Sequence, residues 1–197
     1  MENVRGRPRS FDKDDVLERI TCVFWERGFD GATYEQMEAE TGLKRQSLIY
    51  AFGDKRALFL AALQHYRTTR VEAVCAALAS AKTAKQGVAA AFDIWRGDAS
   101  RQRHRGCLLV TTAGEVAPFD ADVAKQIAIA HKKLLTAFED AFEQAGAERS
   151  LQRKTDAAAL AMLAVATGDG SLLHARNEND GGSTQLALDS LFSLIFD

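Results

Sequence analysis

Between Thr33 and Lys55 the chain reads TYEQMEAETGLKRQSLIYAFGDK, and its glycines leave room for only two short helices. Thr33 followed by Gln36 has the pattern of a capping box, Met37 supplies an apolar face, and Gly42 stops the helix after about two turns. A second short helix is predicted from Arg45 to Ala51, closed by Phe52 and Gly53 before Asp54 caps the next one. A helix, a glycine-containing turn and a short helix with outward polar side chains make a helix-turn-helix, whose second helix can enter the DNA major groove. Such a groove admits about two turns edge-on, so side chains at the helix N-terminus must reach the base edges. Arg45, Gln46 and Ser47 stand there, Leu48 is the expected core residue, and Ile49 is partly shielded. Tyr50 is free to offer its hydroxyl to a phosphate, and Lys55 adds an ammonium to helix-start amides that already attract an anion.

The same residues would also serve a plain αα-hairpin with a solvated charged face. Charge distribution separates the two readings better than net charge, which is only −2. Arg5, Arg7 and Arg9 form one basic cluster, and Lys44, Arg45, Lys55 and Arg56 form another. The arm RGRPR is either a frayed tail or an extended element that lies in a narrow minor groove.

The remainder reads as all-α. Only two prolines break a chain with 47% hydrophobic residues, and alanine and leucine abound. An amphipathic helix through Val16, Leu17, Ile20, Val23 and Phe24 ends near Gly28. After Asp54 a long helix is expected through roughly Ala81, followed by helices over Val88 to Trp95, Cys107 to Val116, Ala121 to Gln144, Asp156 to Ala175 and Gln185 to Phe196. RGDASRQRHRG, from Arg96 to Gly106, and NENDGGST, from Asn177 to Thr184, read as polar loops. That makes about nine helices, in a helix-turn-helix domain of residues 1–54 with its basic arm and a helical domain of residues 55–197.

Other function classes find little support. There is no P-loop, nucleophile elbow, zinc-protease or dinucleotide motif, and the four histidines lack ligand spacing, so neither catalysis, a cofactor nor a metal is expected. A helical scaffold that binds protein remains a competing class, and it would need no basic arm. The uncharged run AAALAMLAVATG, Ala157 to Gly168, is too short to span a bilayer, and no apolar leader opens the chain, so a cytoplasmic protein without a membrane partner is expected. Three scattered cysteines fit reduced thiols.

Residues 10 to 60, with TG, LKRQSL, FGDK and ALF in register, resemble the DNA-binding domain of the TetR family of transcriptional repressors. The resemblance implies an all-helical homodimer that binds double-stranded operator DNA through its N-terminal helices and holds a small-molecule inducer in its C-terminal domain. It carries DNA contact onto Thr33, Lys44, Arg45, Gln46, Ser47, Tyr50 and Lys55, and a ligand-lining role onto Tyr66, Phe92, Trp95 and Phe138. Two positions depart from the family pattern. Lys44 stands where Ser or Thr is usual, which weakens a helix cap, and Ile49 stands where Tyr is usual. Family members dimerise through their last two long helices, and a twofold dimer sets its two reading helices about 34–36 Å apart on a palindromic operator. The small residues Ala157, Ala161, Ala164, Gly168, Ser171 and Ala175 are therefore expected at a close helix crossing, in the dimer interface or within one subunit. Gly168 and Gly170, each costing about 1 kcal/mol in a helix interior, point to close approach or a ligand-lining kink.

Cys107 opens a predicted helix directly after Arg101, Arg103, His104 and Arg105, a setting that favours a thiolate. The Gly-Cys-Leu stretch also resembles TetR-family sensors of electrophiles or oxidants, which places Arg176 opposite the thiol. The other reading packs Cys107 beneath a noncovalent ligand pocket.

Overall fold

The computed structural model describes residues 11–100, 105–178 and 180–196, all of it helix, turn or loop without strands. α1 (Lys13–Gly31) begins where the Asp12 carboxylate accepts the amides of Asp14 and Asp15, and it breaks at Gly28, whose φ of +71° suits glycine. α2 (Tyr34–Thr41) and α3 (Arg45–Phe52) follow, then α4 (Lys55–Tyr66), capped by Asp54 on the Ala57 amide. Ile20, Phe24, Met37, Leu48, Leu58 and Phe59 are buried together beneath these helices, with the Phe24 and Phe59 rings edge to face at 4.9 Å. Met37 and Leu48 are the buried apolar anchors of the two short helices, and the partly buried Tyr34 and Phe52 pack against the same core.

The expected long helix after Asp54 is present but not regular. A π-helical turn, Arg67–Val71, separates α4 from α5 (Glu72–Ser80). Here Thr68 donates to the carbonyls of Gln64 and His65, both at 3.1 Å, and Thr69 donates to that of His65 at 2.8 Å. Hydroxyls that bond back one turn compete with the amide ladder and accompany such bulges.

α6 (Ala84–Ser100), α7 (Leu108–Glu115), α8 (Ala121–Ala147), α9 (Ala157–Glu178) and α10 (Gly182–Phe196) build the larger domain, with a 3-10 turn Ala117–Phe119 before α8. Its core is a chain of rings in which Trp95 lies 5.8 Å from Phe92 and 5.4 Å from Phe138, and Phe138 lies 6.1 Å from Phe142. Counting α4 through α5 as one rod gives nine helices among the described residues.

Both polar loops turn out shorter than their composition suggests. Residues 96–100 continue α6, because Arg96 is paired with Asp93 at 2.5 Å and Asp189 at 2.6 Å while Ala99 is buried. At the other, α9 reaches Glu178 and α10 starts at Gly182, with the buried Thr184 hydroxyl donating to the Ser171 carbonyl at 2.9 Å.

The small residues of α9 also receive a definite place. Ala161, Ala164, Gly168, Ser171 and Ala175 are buried within the subunit. A Cβ added at Gly168 would lie 2.5 Å from the Trp95 ring, whereas one at Gly170 would meet open space. Close approach therefore explains Gly168 alone. The apolar run also extends further than its uncharged core: over its 22 residues α9 is long and apolar enough to cross a membrane, with a mean hydropathy of 1.3 over its best window. It packs instead between α8, α10 and α6.

Candidate nucleic-acid interface

The turn between α2 and α3 is three residues, Gly42, Leu43 and Lys44. The capping box forms: Gln36 Oε1 accepts the Thr33 amide at 3.0 Å, and Thr33 Oγ1 accepts that of Gln36 at 3.4 Å. Gly42 adopts φ +74° and donates to the Glu38 carbonyl at 2.8 Å, which turns the chain toward α3.

On α3, Leu48 is fully buried, and Arg45, Gln46, Ser47, Ile49 and Tyr50 are exposed. Tyr50 is 94% exposed, and its ring rests on nothing that would keep it from an approaching backbone. The Arg45 guanidinium lies over the Tyr34 ring at 4.6 Å, a contact that orients a long side chain at the helix start. Lys55 lies over the Phe29 ring at 4.9 Å, with Nζ donating to the Asp30 carbonyl at 3.3 Å. Thr33, Lys44, Arg45, Gln46, Ser47, Tyr50 and Lys55 thus gather on the helix-turn-helix unit and its edges, while Arg5, Arg7 and Arg9 lie outside the described residues.

Lys44 occupies the N-cap of α3 without a capping hydrogen bond of its own, and its Nζ pairs with Glu38 at 3.3 Å. The cap comes from the preceding helix: Glu38 Oε1 accepts the Arg45 amide at 2.6 Å. Sequence reasoning missed this residue, although the defective cap at Lys44 was itself a signal that an acceptor must come from elsewhere.

Among the described residues, two clusters of polar contacts tie α1 and α4 to the helices α6–α10 and the segments between them. Arg56, in the first turn of α4, donates to Asp120 at 2.7 and 2.9 Å and to Asp122 at 2.7 Å, and this pairing holds the Asp120 carboxyl down at about 2. At the second, the Trp25 indole donates to the Gly106 carbonyl at 3.0 Å, Arg105 pairs with Glu26 at 2.7 Å, and Arg176 donates to the carbonyls of Trp25 at 3.0 Å and Arg105 at 3.4 Å.

Of the two readings of Cys107, this arrangement favours the packed thiol over the reactive thiolate. Cys107 is the N-cap of α7, buried and 3.8 Å from the Tyr66 hydroxyl. Burial first and the nearby Asp169 second push its thiol up to about 12, so it stays protonated. Arg105 points to a different cysteine, donating to Cys22 Sγ at 3.0 Å, and Arg176 spends its hydrogen bonds on carbonyls. Arg101, Arg103 and His104 lie outside the described residues. At Cys22 and Cys75 burial also raises the thiol, opposed by Arg105 and Lys133 respectively. Both are only partly buried. Brief alkylation of the native protein at neutral pH should therefore label Cys22 and Cys75 before Cys107. Peptide mass spectrometry reads the order, and first labelling at Cys107 would contradict this account.

Cys107, Tyr66 and Trp95 line a cavity of about 20 Å³ together with Arg70, Asp98 and Asp169, space for roughly one water. Arg70 lies 3.8 Å from Asp98, and Asp169 pairs with His131 at 3.3 Å, which raises the imidazole's pKa. Phe92 and Phe138 do not line it; they are fully buried in the ring chain.

Known proteins share both halves. Residues 16–62 match the family described as bacterial regulatory proteins, tetR family, and residues 84–191 match the tetracyclin repressor-like C-terminal domain. The chain is 30% identical over 161 residues to YezE of Bacillus subtilis, an uncharacterized HTH-type transcriptional regulator, covering 79% of this chain and 81% of that one. It is 27% identical over 129 residues to the HTH-type transcriptional repressor ComR of Escherichia coli, covering 64% and 61%. Among solved structures, a cysteine mutant of the TetR family transcriptional regulator CifR, complexed with 26-bp double-strand operator DNA, superposes with a TM-score of 0.77 at 27% identity, covering 95% of this chain and 98% of that one. With both halves matched and a helix-turn-helix of this geometry at its head, the chain belongs to the TetR family of transcriptional regulators.

Proposed function

We propose that the chain acts as a homodimeric repressor that reads a palindromic operator with α3 and lets go when a small molecule occupies the larger domain. The observation that carries the DNA reading is the exposed row Arg45, Gln46, Ser47 and Tyr50 on a helix anchored from beneath by Leu48. Base edges would be met by Arg45 and Gln46, and phosphates by Thr33, Tyr50 and Lys55. CifR, similar over nearly its whole length, was solved on operator DNA. Such a regulator works in the cytoplasm, and the reading calls for no cofactor, enzymatic step or membrane. Its reading head spans residues 1–54 and its effector and dimerisation domain residues 55–197.

Dimerisation is supported by the outer faces of the last two helices. Met162, Leu163 and Leu173 on α9 and Leu186 and Leu194 on α10 are exposed, opposite the faces that pack inside the subunit. A helix apolar around its circumference is stable when both sides are covered. As for the signal, the cavity beside Cys107 holds only about one water, so an inducer larger than that must displace its lining. Helix α4 joins cavity to reading head, with Tyr66 at one end and Lys55 at the other. A shift between two spacings of the paired heads is therefore the mode of release.

Binding to random-sequence duplex DNA tests the reading. Affinity should fall about a thousandfold or more between roughly 50 and 200 mM salt if six or more phosphates are contacted by the dimer. Light scattering should give twice the 21.5 kDa chain mass. Salt-independent binding would favour the protein-binding scaffold, and a monomer at micromolar concentration would remove the paired-head mechanism.

A further inference from the structure

The first turn of a helix leaves four amides without intrahelical partners, and the residue before it normally supplies a side-chain acceptor. The Lys44 side chain has only donors to offer. Glu38 fills the gap from the last turn of α2, and it does so with three separate groups. Its backbone carbonyl accepts the Gly42 amide at 2.8 Å, closing α2. One carboxylate oxygen accepts the Arg45 amide at 2.6 Å, opening α3, and the other holds the Lys44 ammonium at 3.3 Å. Both ends of the turn are thereby fastened to one residue, and α3 can neither slide nor rotate against α2 without breaking a bond to it. The carboxylate is 28% exposed and adjoins Lys44 and Arg45 at the start of α3, where a negative charge would be unfavourable to an approaching duplex.

We propose that Glu38 is a positioning residue for sequence reading: its carboxylate replaces the missing cap of α3, sets the place from which Arg45 and Gln46 reach the bases, and restrains the Lys44 ammonium from the phosphates. The inference rests on α3 being the base-reading helix. It makes a counterintuitive statement about charge. Glu38 lowers affinity for DNA in general and raises the preference for the right sequence.

The full-length protein tests this with a duplex enriched from a random-sequence pool by the parent chain and a scrambled duplex of the same length. Glu38→Ala removes the charge and the cap together. The scrambled duplex should bind more tightly, with a salt slope steeper by about one as Lys44 is released, and the ratio of affinities for enriched over scrambled duplex should drop roughly fivefold. Glu38→Gln keeps an acceptor without the charge, so both duplexes should tighten and the ratio should stay within about twofold of the parent. Glu38→Asp keeps the charge but falls a methylene short of the Arg45 amide. It should lose discrimination without the general gain in affinity, and it keeps the experiment decisive if the alanine variant fails to give a cooperative helical melt. Adding Lys44→Ser to Glu38→Ala restores a local cap and should recover the ratio. Glu38→Ala or Glu38→Asp at the parent's ratio, or a double variant that stays low, overturns the proposal. A parent chain that enriches no sequence from the pool instead defeats the base-reading function itself, so the two failures are distinct.

Discussion

Gly168→Ala is expected to destabilise the protein by about 1–3 kcal/mol, although helix propensity alone would make it stabilising by roughly 1 kcal/mol. The two effects oppose each other, and geometry decides between them. A Cβ at Gly168 would sit 2.5 Å from Cζ3, 2.7 Å from Cε3 and 2.9 Å from Cη2 of Trp95, all atoms of the benzo ring. That ring cannot retreat, because Phe92 stacks on it at 5.8 Å and Phe138 lies 5.4 Å away on the same buried chain. Either α9 must move off α6 or Trp95 must leave its rotamer. Denaturant titration reads the loss, and a double-mutant cycle identifies the cause. Trp95→Phe removes the offending atoms, so Gly168→Ala should cost less in that background than in the parent. Equal costs in both backgrounds would show that Trp95 is not what excludes the side chain. The same change should disturb the cavity beside Cys107, since Trp95 lines it.

The features legible in the sequence were those whose partners lie within a turn of one another. Thr33 with Gln36, Gly42 and Asp54 with Ala57 are contacts between neighbours, and each forms where the motif placed it. Leu48 could be assigned to the core because it is the apolar residue directly behind the polar start of α3. What remained illegible joins distant parts of the chain. The basic run before Cys107 suggested a thiolate because only sequence neighbours were visible. In the fold, Arg105 turns to Cys22, 83 residues away, while Cys107 is buried beside the Tyr66 hydroxyl in a cavity that Trp95 and Leu172 also line. Burial is a property of the whole packing, and at Cys107 it outweighs the helix start. The Arg56 pairing with Asp120 and Asp122 had the same character, and so did the placement of the alanine stripe, whose spacing fits an interior crossing and a dimer face equally well. The residues 96–100 looked like loop because they are polar, yet Arg96 pairs with Asp93 and with Asp189 on α10, and Asp98 lies 3.8 Å from Arg70.

On DNA, the residues of the reading head should separate into two groups. Arg45→Ala and Gln46→Ala should each cost about 1–3 kcal/mol on the cognate duplex and flatten preference at the bases they face, whereas Lys55→Ala should weaken all duplexes alike and reduce the salt slope by about one. The distinction follows from where the groups are held. Arg45 and Gln46 are exposed at the N-terminus of α3, the end by which a recognition helix meets base edges. Lys55 belongs to the start of α4, where its ammonium is braced by the Phe29 ring and the Asp30 carbonyl, beside helix-start amides. A braced ammonium meets a phosphate without carrying any information about sequence. Arg45 also rests on Tyr34 at 4.6 Å, so Tyr34→Ala should give a weaker version of the Arg45→Ala effect, with discrimination reduced and the salt slope unchanged. Affinities of each variant for the enriched duplex, its single-base substitutions and a scrambled control, at two salt concentrations, resolve all of these. If Lys55→Ala altered base preference while Arg45→Ala and Gln46→Ala left it intact, α3 would not be the helix in the groove, and the head would have to dock through the start of α4 instead.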